Sequence, residues 1–180
     1  MPHALLIVLP SKEQTVLIVV SDTTAITNLA AINELHLLRA LYGQIVIPEA
    51  VRNELVGPGT ANPGALAVQT EAWIVTRAVT DVSMVEQLLV THEALAQAEV
   101  EAIVLAHELQ ADVLIIDEAA GRDVAATLGL TFTGVLGGLL DAKEQHIVPA
   151  VMPLIDALIA NGFWISPALR TAILQLASEA

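Results

Sequence analysis

Residues 16–24 read VLIVVSDTT, and residues 113–118 read VLIIDE. Each stretch is an uninterrupted apolar run that ends at a carboxylate. Continuous runs of this kind are typical of strands buried on both faces, as in parallel sheets. In open α/β sheets, ligands bind outside the carboxyl ends of the strands. The two stretches therefore predict a buried sheet with Asp22 and Asp117 at the edge where a ligand would bind.

The rest of the chain alternates short apolar runs with segments of helical period, which predicts an α/β fold with a mostly parallel sheet. The other predicted strands are residues 45–47, 74–75 and 131–133. The predicted helices are residues 35–42, 48–56, 94–109, 119–128, 135–144, 151–160 and 168–177. Pro48 is expected at a first helical position and Ser166 as an N-cap. Residues 57–64, with two Pro-Gly pairs, predict a long loop.

The composition fits one domain of ordinary size. The chain has 180 residues, of which 55% are apolar, so a disordered chain is excluded. It has no cysteine, which excludes a disulfide scaffold and a thiolate zinc site and fits a cytoplasmic location. We expect a single domain over residues 1–180, with residues 1–15 as an N-terminal extension and residues 149–180 as a C-terminal helical extension.

The mean hydropathy of +0.68 is high, so membrane insertion has to be considered. The long uncharged stretches carry glycines, threonines or Pro-Gly pairs, and none is typical of a membrane span. The apolar start lacks a basic region, so a signal peptide is not expected. The apolar excess is better explained by a sheet covered on both faces or by a subunit interface, and we expect a homodimer or a higher homo-oligomer.

The formal net charge of −13 predicts that the protein as a whole repels nucleic acid. Any nucleic-acid role therefore needs a local feature, such as cations bound among carboxylates. Asp22 and Asp117 would repel each other unless one were protonated or a cation lay between them. Mg²⁺ and Mn²⁺ suit such an all-oxygen setting.

Two predicted helices could add carboxylates to this site. Glu54 lies beside the apolar side of its helix. Glu99 and Glu101 lie on the two shoulders of one apolar stripe, and periodicity does not choose between them. For any single acid, a solvated or helix-capping role is the simpler interpretation. For the set, the convergence of strand ends and helix shoulders favours a site.

Other motifs predict less. The chain has no phosphate-binding G-x-x-x-x-G-K-[ST] loop and no H-E-x-x-H pair. Trp73, Phe163 and Trp164 are too few to form a base-stacking platform, so core or interface packing is expected. Arg122 could contact a substrate or anchor a carboxylate, although a plain ion pair is the simpler interpretation.

Two segments carry a family resemblance. Residues 21–55 read SDTTAITNLAAINELHLLRALYGQIVIPEAVRNEL, and residues 98–143 read AEVEAIVLAHELQADVLIIDEAAGRDVAATLGLTFTGVLGGLLDAK. They resemble the PIN-domain family, metal-dependent nucleases found in VapC-like toxins, and in particular a poorly characterised subfamily with the pattern G-E-x-E-A-I-x-L-A. Ala98 and Gln110 stand where that subfamily has glycine. The resemblance implies a three-layer sandwich with a central, mostly parallel sheet flanked by helices and followed by C-terminal helices.

The resemblance also implies a set of acids for metal binding and catalysis. Matched position by position, they are Asp22, Glu54, Glu99 (with Glu101 in reserve) and Asp117. Thr23 and Thr24 match supporting hydroxyl positions, and Glu118 is a neighbour of the fourth acid. The implied protein is a Mg²⁺- or Mn²⁺-dependent endoribonuclease with an RNA substrate, the toxin of a toxin–antitoxin pair with a small antitoxin partner. The alternatives are an inactive PIN-like interaction module and, more remotely, a receiver-like domain phosphorylated at an Asp.

Overall fold

A computed structural model describes residues 17–59 and 61–180, and five strands within these residues form a fully parallel sheet. The strands are β1 Val19–Ser21, β2 Ile45–Pro48, β3 Ile74–Arg77, β4 Val113–Ile115 and β5 Phe132–Thr133. Their order across the sheet is β3-β2-β1-β4-β5. β1 is therefore central, and the direction in which the chain winds reverses between β1 and β4.

Helices cover both faces of this sheet. They are α1 Thr23–Ala31, α2 His36–Tyr42, α3 Glu49–Val56, α4 Ala65–Thr70, α5 Val82–Thr91, α6 Gln97–Glu108, α7 Ala119–Thr127, α8 Val135–Glu144, α9 Met152–Ala160 and α10 Pro167–Leu176. Among the residues described, no helix is both long and apolar enough to cross a membrane.

Successive strand residues point to opposite faces, which gives the molecule two apolar cores. Ile45 and Ile47 pack into the first core, and Val46 between them packs into the second. Helices α1, α2, α3, α8, α9 and α10 bury side chains in the first core, whereas α5, α6 and α7 bury theirs in the second. The predicted α/β three-layer arrangement is thereby confirmed.

The first strand and the first residue of α3 differ from the prediction. β1 covers Val19–Ser21 instead of residues 16–20, because Ser21 pairs with Ile115 and extends the ladder beyond the apolar run. Val16 and the predicted extension over residues 1–15 lie outside the residues described. Pro48 ends β2 with an extended backbone, at φ −73° and ψ 165°, and precedes α3 instead of beginning it.

Helices α4 and α5 were not predicted. α4 begins directly after the Pro-Gly loop, has six residues and buries only Val68. In α5, Val85 and Leu89 pack at the second core with helical spacing, while Val82 and Val90 are 58% and 79% exposed. These exposed valines widen the apolar pattern and obscure the stripe from which a helix is predicted.

The two C-terminal helices pack on the domain itself, which was one of the two options left open by the sequence. α9 buries Ile155 and Leu158 in the first core, and α10 buries Ile173 and Leu174 there. Ser166 caps α10 as predicted, by accepting a hydrogen bond from the Leu169 N–H at 3.1 Å.

Glu179 ties the end of the chain to this layer. Its carboxylate accepts hydrogen bonds from the Lys143 Nζ at 2.6 Å and from the backbone N–H groups of Val151 and Met152 at 2.7 and 2.8 Å. The bond from Lys143, followed by those from the backbone, lowers the pKa of Glu179 to about 2. The contact closes the N-terminus of α9 and anchors the C-terminal helices.

The buried face of α6 provides a test of the second core. Ile103 is fully buried there, so Ile103→Ala should lower the free energy of unfolding by about 2–5 kcal/mol through lost burial and the cavity left behind. Val90→Ala, at a position 79% exposed, is the control and should change it by less than about 0.5 kcal/mol. Urea denaturation followed by circular dichroism measures both. Equal effects would contradict the assignment of α6 to the core.

Candidate functional site

The two strand-end aspartates lie at the point where the winding of the sheet reverses. Asp22 directly follows β1, and Asp117 follows the neighbouring strand β4 by two residues. The Asp22 backbone N–H donates to the Ile115 carbonyl at 3.1 Å, which continues the pairing of the two strands to the site. Crevices that bind ligands in α/β sheets form at such reversals.

Asp22 is a buried N-cap with one oxygen to spare. The residue is only 1% exposed, and its Oδ1 accepts hydrogen bonds from the Thr24 N–H at 3.0 Å and the Ala25 N–H at 3.5 Å. Oδ2 of Asp22 and Oγ1 of Thr23 are buried without a hydrogen-bond partner. Leaving such oxygens unsatisfied is costly, so the position favours a proton or a cation beside Asp22.

The environment of Asp22 opposes its ionisation. Burial, followed by the charges of Asp117 and Glu99, raises the pKa of Asp22 from its ordinary value of 3.8 to about 7. The N–H groups of Ala25 and Thr24 act in the opposite direction but do not offset the burial. Like charges near a desolvated carboxylate are an arrangement that a bound cation would relieve.

Asp117 is held in place by the start of α8 and by one cation. Its Oδ1 accepts the Val135 N–H at 3.1 Å and lies 3.8 Å from the Nη2 of Arg122. Arg122 is fixed in turn by donating from Nε to the Ile116 carbonyl at 2.9 Å. Burial raises the pKa of Asp117, while the Val135 N–H and Arg122 counteract this rise. Arg122 thus anchors a carboxylate, which was one of the roles open to it.

Gly134 makes this contact possible because it has no side chain. A Cβ atom at Gly134 would overlap Arg122 and Asp117. Gly134 is also the residue before α8, so it cannot cap that helix with a side chain of its own, and Asp117 from another element serves instead.

Three of the four predicted acids line one pocket of about 470 Å³. Its acidic lining residues are Asp22, Glu54, Glu99 and Glu118. Glu99 is fixed by accepting the Ala96 N–H at 2.8 Å, and its pKa is raised by burial and then by the charges of Glu118 and Glu54. Glu118, considered from the sequence only as a neighbour of the fourth acid, belongs to this acidic pocket.

The fourth predicted acid, Asp117, lines an adjoining pocket of about 710 Å³. Thr24 and Glu118 line both pockets, so the two are adjacent and share a border. We refer to them as the acidic pocket and the adjoining pocket.

Glu101 is directed elsewhere. Its Oε2 accepts the Ala50 N–H at the start of α3 at 3.0 Å, and its Oε1 accepts from Gln97 at 2.8 Å. It lines a separate pocket with Glu49. Of the two helix-shoulder acids, Glu99 is therefore the one that shares a pocket with Asp22.

The type of donor in the acidic pocket fits a hard divalent cation, and the unpartnered Oδ2 of Asp22 supports that fit. Over residues 17–59 and 61–180, however, no three Asp, Glu or His side chains already surround one point as metal ligands would. A different backbone N–H group donates a hydrogen bond to each of three of these acids, Asp22, Glu99 and Asp117. Side-chain rearrangement would have to accompany metal binding.

Trp164 does not pack in a core, which was one of the two options expected from the sequence, and the other, packing in an interface, stays a prediction. It is 82% exposed and lines the adjoining pocket. Its place in the short connection between α9 and α10, after Gly162 and before Ser166-Pro167, was the sequence signal that could have indicated this exposure.

A family model described as a PIN domain matches residues 18–179 of the chain. No curated protein matches it. The match spans all five strands and both pockets.

The raised pKa of Asp22 predicts an inverted pH dependence of stability. Between pH 3.8 and about 7, folded Asp22 holds a proton that the unfolded chain has lost. The free energy of unfolding should therefore fall as the pH rises through this window, by up to about 4 kcal/mol from this group. Asp22→Asn keeps a capping oxygen but cannot ionise, so its decline should be shallower.

Urea denaturation of both proteins at pH 4, 5.5 and 7 with a metal chelator measures this difference. Asp117 and Glu99, whose pKa values are also raised, remain in both proteins, so the difference between the two curves reports Asp22 together with its coupling to them. Parallel curves for wild type and Asp22→Asn would contradict the assignment.

Proposed function

The chain belongs to the PIN-domain family, and from that premise we propose that it is a divalent-metal-dependent endoribonuclease that hydrolyses phosphodiester bonds. One observation carries the proposal. Carboxylates collect at the reversal point of the sheet, and one of them, Asp22, is buried with an oxygen that has no hydrogen-bond partner. PIN domains generally bind divalent metals, and oxygen donors of this kind suit Mg²⁺ or Mn²⁺.

Each proposed ligand has a distinct part. Asp22 offers Oδ2 to a cation while Oδ1 stays on the N-terminus of α1. Asp117 is oriented by Val135 and Arg122, and Glu99 by the Ala96 N–H. Glu54, the most exposed of the four, completes the set from α3. One of the carboxylates would also accept a proton from the attacking water.

The charge of the chain makes cation binding necessary for this reaction. At a net charge of −13, an anionic RNA phosphate would be repelled from the acidic pocket. When bound, a divalent cation neutralises these carboxylates, lowers the pKa of a water molecule and stabilises negative charge on the phosphate. The protein's own contribution is to hold the ligands at fixed places in a concave site.

We propose the toxin of a toxin–antitoxin pair as the biological setting, with a small antitoxin protein as partner and a cytoplasmic location. The resemblance to VapC-like toxins supports this, and the lack of cysteine fits a reducing compartment. The high apolar content of the chain, 55%, is the observation that supports a homodimer, a higher oligomer or a bound antitoxin.

A second candidate is an inactive PIN-like interaction module. It is favoured by one specific observation, the lack of three metal ligands already arranged around one point in the part of the chain that the structure describes. The departures from glycine at Ala98 and Gln110 also agree with it. Gln110 keeps the left-handed backbone, at φ 49°, that a glycine would adopt without strain.

The two candidates differ in cleavage. Wild type should cut single-stranded RNA when Mg²⁺ or Mn²⁺ is present and should stop when EDTA is added. Asp22→Asn and Glu99→Gln should lower kcat/KM at least about 100-fold, since even the outer partners of metal ligands are worth 10- to 100-fold. Glu101→Gln is the matched control, because it lies on the same helix, keeps an oxygen for the Ala50 N–H and should retain activity.

Calorimetric titration with Mn²⁺ separates the nuclease from the module without relying on turnover. The nuclease should bind Mn²⁺ with heat that is lost in Asp22→Asn and kept in Glu101→Gln. No binding at millimolar Mn²⁺, together with no RNA cleavage, would overturn the nuclease and support the module. Equal losses in Glu99→Gln and Glu101→Gln would remove Glu99 from the site.

A further inference from the structure

We propose that the adjoining pocket is a subsite for one unpaired base of the RNA strand, which stacks on Trp164. The inference rests on the proposed nuclease function and adds the position and form of the bound nucleotide. The adjoining pocket has a volume of about 710 Å³, within the usual range for small-molecule sites of roughly 300–1,000 Å³. Its lining includes Arg122, Phe163 and Trp164, and it shares Thr24 and Glu118 with the acidic pocket.

The border that the adjoining pocket shares with the acidic pocket limits which molecule can occupy the adjoining pocket. Thr24 and Glu118 form a common border, and Asp117, a proposed site acid, lies on the adjoining side. A chain molecule with a phosphate at the acidic pocket would therefore extend its next unit past this border. For an RNA strand, that unit is a nucleotide.

Trp164 is held outward by its neighbours. Phe163 and Ile165, on either side of it, pack against the first core, whereas Trp164 is 82% exposed. The connection between α9 and α10 is thus fastened at both flanking residues, and the indole is presented to solvent at the pocket. Trp73, Phe163 and Trp164 are too few for an extended stacking platform, but one exposed indole on an anchored backbone is enough for a single base of any type.

The overall charge favours stacking as the source of affinity. At −13, the protein gains little from attraction of the RNA backbone, so a base contact has to be largely uncharged. Arg122 adds a guanidinium to the pocket wall, with its side chain 40% exposed, its charge paired with Asp117 and its position fixed by the Ile116 carbonyl. An aromatic face and a guanidinium in the wall of one pocket match a base with its phosphate better than they match an apolar peptide.

Stacking requires an accessible base face, which a base inside a duplex does not have. The inference therefore specifies single-stranded RNA. The contribution comes from the C-terminal helical layer, because the connection that carries Trp164 is anchored by α9 and α10 on the first core.

Fluorescence can isolate this contact, since the chain has two tryptophans and Trp73 lies elsewhere, bonded through Nε1 to Glu71 at 2.9 Å. In Trp73→Phe, tryptophan emission reports Trp164 alone. Stopped-flow titration with a five-nucleotide single-stranded RNA in Mg²⁺ should quench it before cleavage proceeds, and the same sequence in a duplex should not. A leucine-rich peptide of equal length is the competing probe. Quenching by the peptide and not by the RNA would overturn the proposal in favour of a protein partner.

Cleavage kinetics give a second, independent readout. Trp164→Ala should raise KM for single-stranded RNA roughly 5- to 100-fold, while kcat at saturation stays that of wild type. Trp164→Phe should recover most of the affinity, and Trp73→Phe should behave as wild type. Because Trp164 is exposed, the folding of Trp164→Ala and of Trp164→Phe should match wild type by thermal denaturation.

The two proposals fail in different ways. Metal-dependent cleavage with an unchanged KM in Trp164→Ala and no RNA quenching would overturn the subsite and leave the nuclease standing. RNA quenching without cleavage in any metal would overturn the nuclease and support a subsite that binds RNA without cutting it. Neither cleavage nor quenching would overturn both.

Discussion

The repulsion between desolvated carboxylates at the ends of two adjacent parallel strands is the constraint around which the rest of the structure is organised. Pairing of β1 with β4 delivers Asp22 and Asp117 to one edge, and burial raises the pKa of both. The ionised forms are tolerated because two apolar cores, one on each face of the sheet, hold the strands together. A cost of this kind in the folded state is expected at functional sites, where stability is given up for chemistry.

Helix capping and ligand presentation are combined in the same side chains. Asp22 accepts from the first N–H groups of α1, Glu99 from the residue before α6, and Asp117 from the first residue of α8. The capping role that the sequence offered as the simpler interpretation is thus real for these acids. It does not exclude a site, because a carboxylate has two oxygens. The positive ends of three helix dipoles are also directed at the acids, which lowers their mutual repulsion.

The sequence was most informative where one rule decides. The strand ends placed Asp22 and Asp117, because continuous apolar runs have one interpretation in a sheet covered on both sides. It could not choose between Glu99 and Glu101, since both border the same apolar stripe. That choice depends on a tertiary contact, the need of the α3 N-terminus for an acceptor, which Glu101 supplies. The exposure of Trp164 was not predicted for a related reason. Composition favours the burial of tryptophan, whereas the exposure of this one follows from the anchoring of its neighbours.

The space around Gly134 has an evolutionary consequence. A Cβ atom at this position would collide with the ends of the Asp117 and Arg122 side chains, so any larger residue requires those two groups to shift. A homologue that carries alanine or anything larger here is therefore expected to hold the aspartate and its guanidinium partner differently. This one codon would therefore serve as a simple marker when genomes are searched for descendants that have kept the cleft and for those that have let it decay.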